Sequence, residues 1–359
     1  SWHDPAIWGS RWTSTASFTD SDDGSGWALG LERPFYELDA RWSAGLSAES
    51  LSQVENRYAL GTRVDSWRAD RQAFDIHRGW SSGLRGDWTR RWTAGFRYDR
   101  ARFAPADTAL VGPLPDDRTL ALPYMRLDLL QDDYVTAHNL DQIGRTEDLR
   151  FGTQLSAELG VSQAALGANR NAFVASLGAS RGYRLVHEQS LFLAGSWGSR
   201  LEGGSLRDSL LSVSSRYFWR ASGKTVLFVG FAADKGSALD LDHELMLGGD
   251  TGLRGYPLRY QTGTARALLT VEGRYFTNWY PLRLARVGAA VFADIGRTWG
   301  ASALAVPELG TLRDVGIGLR FGNTRSALGN VLHVDLAFPL DGDPSVKSMQ
   351  FLLKTYKSF

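Results

Sequence analysis

RVGAAVFADIGRTW, residues 286–299, alternates with a period of two. Val287, Ala289, Val291, Ala293 and Ile295 share one face, opposed by Phe292, Asp294 and Gly296. Such a stretch is a strand with one apolar face. DVGIGLRF (314–321) repeats the pattern, with Val315, Ile317, Leu319 and Phe321 against Gly316, Gly318 and Arg320. In VLHVDLAFP (331–339), Leu332, Val334, Leu336 and Phe338 oppose His333, Asp335 and Ala337. RRWTAGFRYDRARF (90–103) separates Trp92, Ala94, Phe96 and Tyr98 from Thr93, Gly95, Arg97 and Asp99. Arginine, aspartate and glycine cannot form the dry core of a β-sandwich. They can line a wet lumen while the opposite face meets lipid.

Extending this reading gives sixteen candidate strands, near 11–20, 26–33, 39–49, 72–83, 88–103, 119–129, 147–159, 171–182, 189–201, 206–220, 224–234, 265–276, 286–297, 314–321, 331–338 and 349–359. Most approach the ~9–11 residues that a tilted strand needs to cross a bilayer. The even number suits a single-chain bacterial barrel. Residues 50–71 are read as a loop, extended in part from the strands on either side. Tight turns at Pro34-Phe35-Tyr36, Arg85-Gly86-Asp87 and Ala221-Ser222-Gly223 fall on one side, the periplasmic one, and long polar loops on the other. The predicted fold is all-β: a 16-stranded antiparallel transmembrane β-barrel with a long loop after strand 11 inserted into the lumen. Residues 1–10 are expected to be a linker remnant and 11–359 the barrel domain, loop 235–264 folding inward. Periplasmic N-terminal domains are expected to lie outside this chain.

Composition narrows the classes. The 40 Lys+Arg and 39 Asp+Glu nearly cancel, which argues against nucleic acid, whose phosphates require a basic excess. The absence of cysteine excludes thiolate metal sites, disulfides and Cys nucleophiles, and suits an oxidising compartment. The 39 glycines among 359 residues exceed the usual ~7%, and with 42 aromatic residues but three methionines they are unlike a helical enzyme. No apolar run reaches the ~18 residues of a spanning helix, and mean hydropathy is −0.24. A barrel hides its apolar band by alternation, so both observations are compatible with one. The C-terminal SMQFLLKTYKSF places Phe351, Leu353, Thr355 and Phe359 on one face, and a terminal aromatic resembles the assembly signal of outer-membrane barrels.

LGGDTGLRGYPLRYQTG, residues 247–263, interrupts this pattern. A loop of about 30 residues, 235–264, can carry Arg254 deep into the lumen. A guanidinium there requires a planar acceptor, and Asp294 points inward from the wall. Tyr256 is expected beside Phe292, and Glu272 with Arg274 to extend the network. Leu253-Arg254-Gly255-Tyr256 after the eleventh strand, followed by Phe292-Ala293-Asp294-Ile295-Gly296 on the thirteenth, resembles the superfamily of BamA, TamA and the two-partner-secretion transporters. The resemblance implies that an Arg-Gly-aromatic loop folds back against an inward Phe-x-Asp-x-Gly strand. The functional loop motif is then Leu253, Arg254, Gly255 and Tyr256; the receiving wall is Phe292, Asp294 and Gly296; Phe359 is the assembly signal.

Other patterns carry less. Gly79-Trp80-Ser81-Ser82-Gly83 and Gly178-Ala179-Ser180-Arg181-Gly182 match a nucleophile elbow without its strand–turn–helix context. Asp242-His243-Glu244 is read as solvated loop, His333 with Asp335 as lumen wall, and Asp39–Arg41 and Glu147–Asp148 as strand-end charges. No catalytic, metal or cofactor site is expected, and no enzymatic activity.

The expected function is an outer-membrane protein assembly or translocation factor in a Gram-negative bacterium. It would insert or export client polypeptides through a barrel whose first and last strands, 11–20 and 349–359, meet at a weak seam. Trp12, Ser14, Ala16 and Phe18 give the first strand a poor lipid face. Alternatives are a barrel that anchors or exports an attached lipase-like enzyme, a two-partner-secretion pore, and last a passive porin. Expected partners are outer-membrane lipids and lipopolysaccharide, the client polypeptide, and periplasmic or lipoprotein partners.

Overall fold

The computed structural model describes residues 1–106, 112–140, 142–186, 188–301, 307–323, 330–344 and 346–357. Its elements are strands, with three short 3-10 turns and no α-helix among the described residues. The strands are β1 (Trp2–Asp4), β2 (Thr13–Ser21), β3 (Gly24–Arg33), β4 (Trp42–Ala59), β5 (Thr62–Arg85), β6 (Trp88–Pro105) and β7 (Arg118–Gln131). A hairpin, β8 (Tyr134–His138) and β9 (Thr146–Arg150), precedes β10 (Gln154–Ser162), β11 (Ala172–Arg184), β12 (Gln189–Glu202), β13 (Ser205–Arg220) and β14 (Thr225–Ser237). A second small hairpin, β15 (Leu245–Leu247) and β16 (Gln261–Gly263), stands before β17 (Ala265–Phe276), β18 (Ala285–Trp299), β19 (Leu312–Asn323), β20 (Asn330–Pro339) and β21 (Gln350–Lys357).

All except the two hairpins join one 17-stranded sheet in which neighbours in sequence pair antiparallel. Among the described residues β21 pairs only with β20, and the outer edge of β2 pairs only with β1. The sheet curls, because the segment joining β14 to β17 touches it on nearly every side. Asp242 meets Arg71 on β5 and Arg118 on β7; Asp240 meets Arg200 on β12; Asp250 meets Lys354 on β21. Alternation decides which face is concave. Val291, Ile295, Ile317 and Phe338 are exposed on the convex face, while Phe292, Asp294, Gly316 and Arg320 are buried on the concave one.

Four expectations change. Residues 50–71 are strand rather than loop, since β4 and β5 continue to a two-residue turn at Leu60 and Gly61, both at positive φ. The stretch 147–159 is two elements: Phe151 and Gly152 donate their amides to the Asp133 carbonyl, turning the chain between β9 and β10. Its connection to β7 is therefore long on the side expected to hold tight turns. The concave side is not uniformly polar, because Phe192, Phe218 and Phe228 form an aromatic row across β12–β14. At the N-terminus, residues 2–4, expected to be linker, pair with Ser14–Ala16 of β2. Phe359 lies outside the described residues.

The exposed apolar face generates a prediction. Val291→Lys, in the middle of β18, should destabilise the protein in lipid vesicles by ~2–4 kcal/mol, measured by urea unfolding. An unchanged midpoint would mean that this face does not meet hydrocarbon.

Candidate functional site

The loop between β14 and β17 is built around its own apolar knot. Leu247, Leu253, Tyr256 and Tyr260 are buried together with Leu312 of β19. Tyr256 stacks on Tyr260 with centroids 5.5 Å apart, and its hydroxyl lies 2.8 Å from the Arg313 carbonyl and 3.0 Å from that of Asp341. This fixes the chain on both sides of Arg254.

Arg254 then has one direction to point. Its Nε and Nη2 donate to the two oxygens of Asp294 at 2.7 and 3.0 Å, a bidentate fork. Thr270 donates a third hydrogen bond to Asp294 at 2.7 Å. Nη1 of Arg254 reaches Glu272 on β17 at 2.9 Å and Asp335 on β20 at 3.5 Å. Glu272 also receives Arg320 at 3.0 Å and Arg274 at 3.0 Å, and Arg320 closes the ring on Asp335. The Arg254 guanidinium sits 3.3 Å above the Phe292 ring, adding a cation–π contact to the fork. The Arg254 side chain is 8% exposed and that of Asp294 0%, so the pair is dry. Two glycines permit the approach. A Cβ on Gly255 would fall 2.4 Å from the Asp314 Cβ, and one on Gly296 would fall 2.6 Å from Leu247 Cδ2.

The structure thus brings Arg254, Asp294, Glu272 and Arg274 into one network, with Leu253, Gly255 and Gly296 packed around it. Two expectations are corrected. The Arg254–Asp294 pair is buried rather than open to a wet lumen, because the loop packs over it, although a cavity of about 440 Å³ reaches Arg254, Glu272 and Arg320. Tyr256 does not lie beside Phe292, because the guanidinium occupies that ring and Tyr260 takes the phenol. Sequence reasoning missed Arg320, Asp335 and Asp314. Asp335 had been assigned to the wall alone, and only the register of β18–β20 shows that it meets Arg320. Asp314 stands directly across from Asp294, buried, with neither oxygen in a hydrogen bond of normal geometry. Four carboxylates therefore face three guanidiniums.

The base of the loop is a second charged layer. Asp242, expected in solvent, is buried between Arg71 (2.9 Å) and Arg118 (2.8 Å), because those long side chains cross the concave side from β5 and β7. Burial alone would raise its carboxyl, but the hydrogen bonds from Arg118 and Arg71 hold it far below the usual carboxylate range. His243 Nδ1 lies 2.8 Å from Asp208, a contact that raises its pKa against the opposing effect of burial. Asp208, Asp240 and His243 could geometrically hold a cation, but Arg200 already donates to both aspartates. Glu147, expected at a strand end, is buried and accepts the Leu140 amide at 2.8 Å. Both Gly-x-Ser-x-Gly stretches lie inside continuous strands, β5 and β11.

No family model and no curated protein matches the sequence. Among solved structures, the chain is similar to BamA from Haemophilus ducreyi lacking POTRA domains 1–3, at TM-score 0.51 and 13% identity. That match covers 97% of this chain and 65% of the other, so this chain spans less than two thirds of its length. CdiB from Escherichia coli (TM-score 0.45, 14% identity, 95% and 67% covered) and CdiB from Acinetobacter baumannii (0.44, 14%, 96% and 59%) also match. The likeness to BamA is one of fold: one large, curled antiparallel sheet in which neighbours in sequence pair.

Two predictions follow from the geometry. Arg254→Ala leaves buried carboxylates uncompensated and should cost ~3–5 kcal/mol on urea unfolding, with protease cutting within 247–263. Asp294→Ala should do the same and the double variant little more, whereas Asp314→Asn, which removes none of the Arg254 acceptors, should leave the loop protected. Strictly additive losses would dissolve the pairing. For His243 the raised pKa means that its contribution is full below its ordinary value of 6.5 and is lost as pH rises through the raised one. Hydrogen exchange at 238–244 should therefore accelerate on the alkaline side, and Asp208→Asn should abolish that dependence.

Proposed function

We propose that this chain is the outer-membrane barrel of a machine that inserts or exports client polypeptides. The observation that carries the reading is the Arg254–Asp294 fork: a loop from one end of the sheet folds back onto the concave face of the strands beside it, β17, β18 and β20, and is locked there by charge. A passive pore has no use for a buried lock across its own channel. The similarity of fold to BamA supports the same class. In this reading the sheet closes into sixteen long strands through β2 and β21, with the turns at 34–41, 86–87 and 221–224 in the periplasm. The convex apolar face meets outer-membrane lipid and lipopolysaccharide. No catalytic step is assigned to the chain.

The seam favours insertion over passage through the lumen. Among the described residues β21 has eight and β2 nine, against 18 and 24 in β4 and β5, and β21 has no partner but β20, so the two closing strands are short edges. An edge of this kind can accept a client strand by backbone pairing. Lipoprotein or further periplasmic partners would deliver clients to it.

The absence of native cysteine makes the test direct. Single cysteines scanned along 13–21 against one at Leu353 should yield a disulfide across the seam. Once locked, the barrel should lose client insertion in proteoliposomes and regain it on reduction. A locked seam with undiminished insertion would overturn lateral insertion, and a second lock tying residue 254 to 294 would then show whether clients pass the lumen. Insertion or export unaffected by both locks would overturn the function proposed.

A further inference from the structure

The connection from β7 to β10 does more than join two strands. β8 and β9 pair from Tyr134↔Arg150 to His138↔Thr146, and the tip folds on itself: Gly144 donates to the Asn139 side chain at 2.6 Å and Leu140 to Glu147 at 2.8 Å. The described residues of this tip pack far from β7 and β10, the strands that the hairpin joins. Leu140 and Ile143 are buried in a cluster with Phe218 of β13, Val226 of β14, Phe276 of β17 and Val331 of β20. A Cβ on Gly322 of β19 would fall 2.9 Å from the Ile143 Cβ. The hairpin therefore reaches across the mouth of the barrel, from one wall to the opposite one, at the end away from the loop.

Its tip also touches the lock. Arg274 Nη1 donates to the Leu140 carbonyl at 2.7 Å, while its Nε donates to Glu272 at 3.0 Å, and Glu272 accepts Arg254 at 2.9 Å. A cavity of about 440 Å³ lies between the two inserts, with Ile143 on one side and Asp250, Thr251, Gly252 and Arg254 on the other. The lumen is thus obstructed twice, and one chain of hydrogen bonds runs from obstruction to obstruction.

We propose that the β8–β9 hairpin is a second plug, at the periplasmic mouth, coupled through Arg274 and Glu272 to the Arg254 loop. Withdrawing the hairpin frees the Arg274 guanidinium from Leu140 and lets it compete with Arg254 for Glu272. The loop then loses one of its acceptors. An entering chain that displaces the hairpin would in this way loosen the second obstruction before reaching it. The assignment of the mouth to the periplasm rests on the function proposed above; the coupling does not.

The test uses the purified chain in planar bilayers and in vesicles, without client. Replacing 135–149 by a short Gly-Ser linker should raise single-channel conductance and accelerate hydrogen exchange at 247–263 several-fold. Arg274→Gln should accelerate exchange in the loop while leaving the hairpin in place. The pair Ile143→Cys with Gly322→Cys, oxidised, should hold conductance at its floor until reduced, which serves if the shortened form does not fold. Conductance indifferent to both hairpin removal and the disulfide would overturn the plug. Loop exchange unchanged in Arg274→Gln would overturn the coupling. If conductance responds as expected while client insertion never does, the plug stands and the proposed function falls.

Discussion

A bidentate ion pair buried inside the protein is the constraint on which this molecule is built. The Arg254–Asp294 fork requires that a guanidinium leave solvent, and that transfer is unfavourable unless every donor finds an acceptor. The surrounding structure meets that demand. Asp294 takes two donors, Glu272 and Asp335 take the third nitrogen, and the Phe292 face covers the guanidinium. The three carboxylates come from three different strands, so the full set of acceptors is assembled only when β17, β18 and β20 are in register. The same requirement explains the glycines, since any side chain at 255 would strike Asp314.

The charges also explain why a sheet with so few concave apolar residues near the loop keeps its shape there. An apolar plug would bind by area and let go gradually. A plug held by paired charges in a dry site is held strongly when all partners are present and weakly once one is withdrawn, because the remaining charge then favours water. Such a lock behaves as a switch. Arg274, which serves Glu272 and the hairpin carbonyl at once, is placed where two such states can be linked.

Much of this was legible in the sequence, for a physical reason. A strand with lipid on one face must alternate, and the alternation at 286–299, 314–321 and 331–339 specified which side of each strand is concave. Arg254 and Asp294 stood out because each was a charge where neither a solvent loop nor a greasy strand needed one. What stayed hidden depends on register and on dryness. Asp314 faces Asp294, and Arg320 meets Asp335, only once three strands are aligned residue by residue. The lumen was expected to be wet because the inward residues are polar; that the loop would bury the Arg254–Asp294 pair is a property of the assembled chain. The hairpin was missed because Thr146–Arg150 and Gln154–Ser162 both alternate and run together into one apparent strand.

That last confusion is instructive about the fold. β9 alternates for a different partner: its faces answer to β8 and the mouth of the barrel, not to lipid. The break is made by Phe151, buried against Phe192, with the next two residues turning the chain into the wall. The turn at Phe151 and Gly152 thus separates a segment that joins the main sheet from one that folds across its concave side. Where the wall strands must bury one face in lipid, the hairpin buries its tip in the row of Phe218, Phe228 and Phe276, the part of the lumen that is not polar. The aromatic patch on the otherwise charged concave face therefore has an occupant, and the seating of the hairpin tip there follows from the ordinary tendency of apolar surface to leave water.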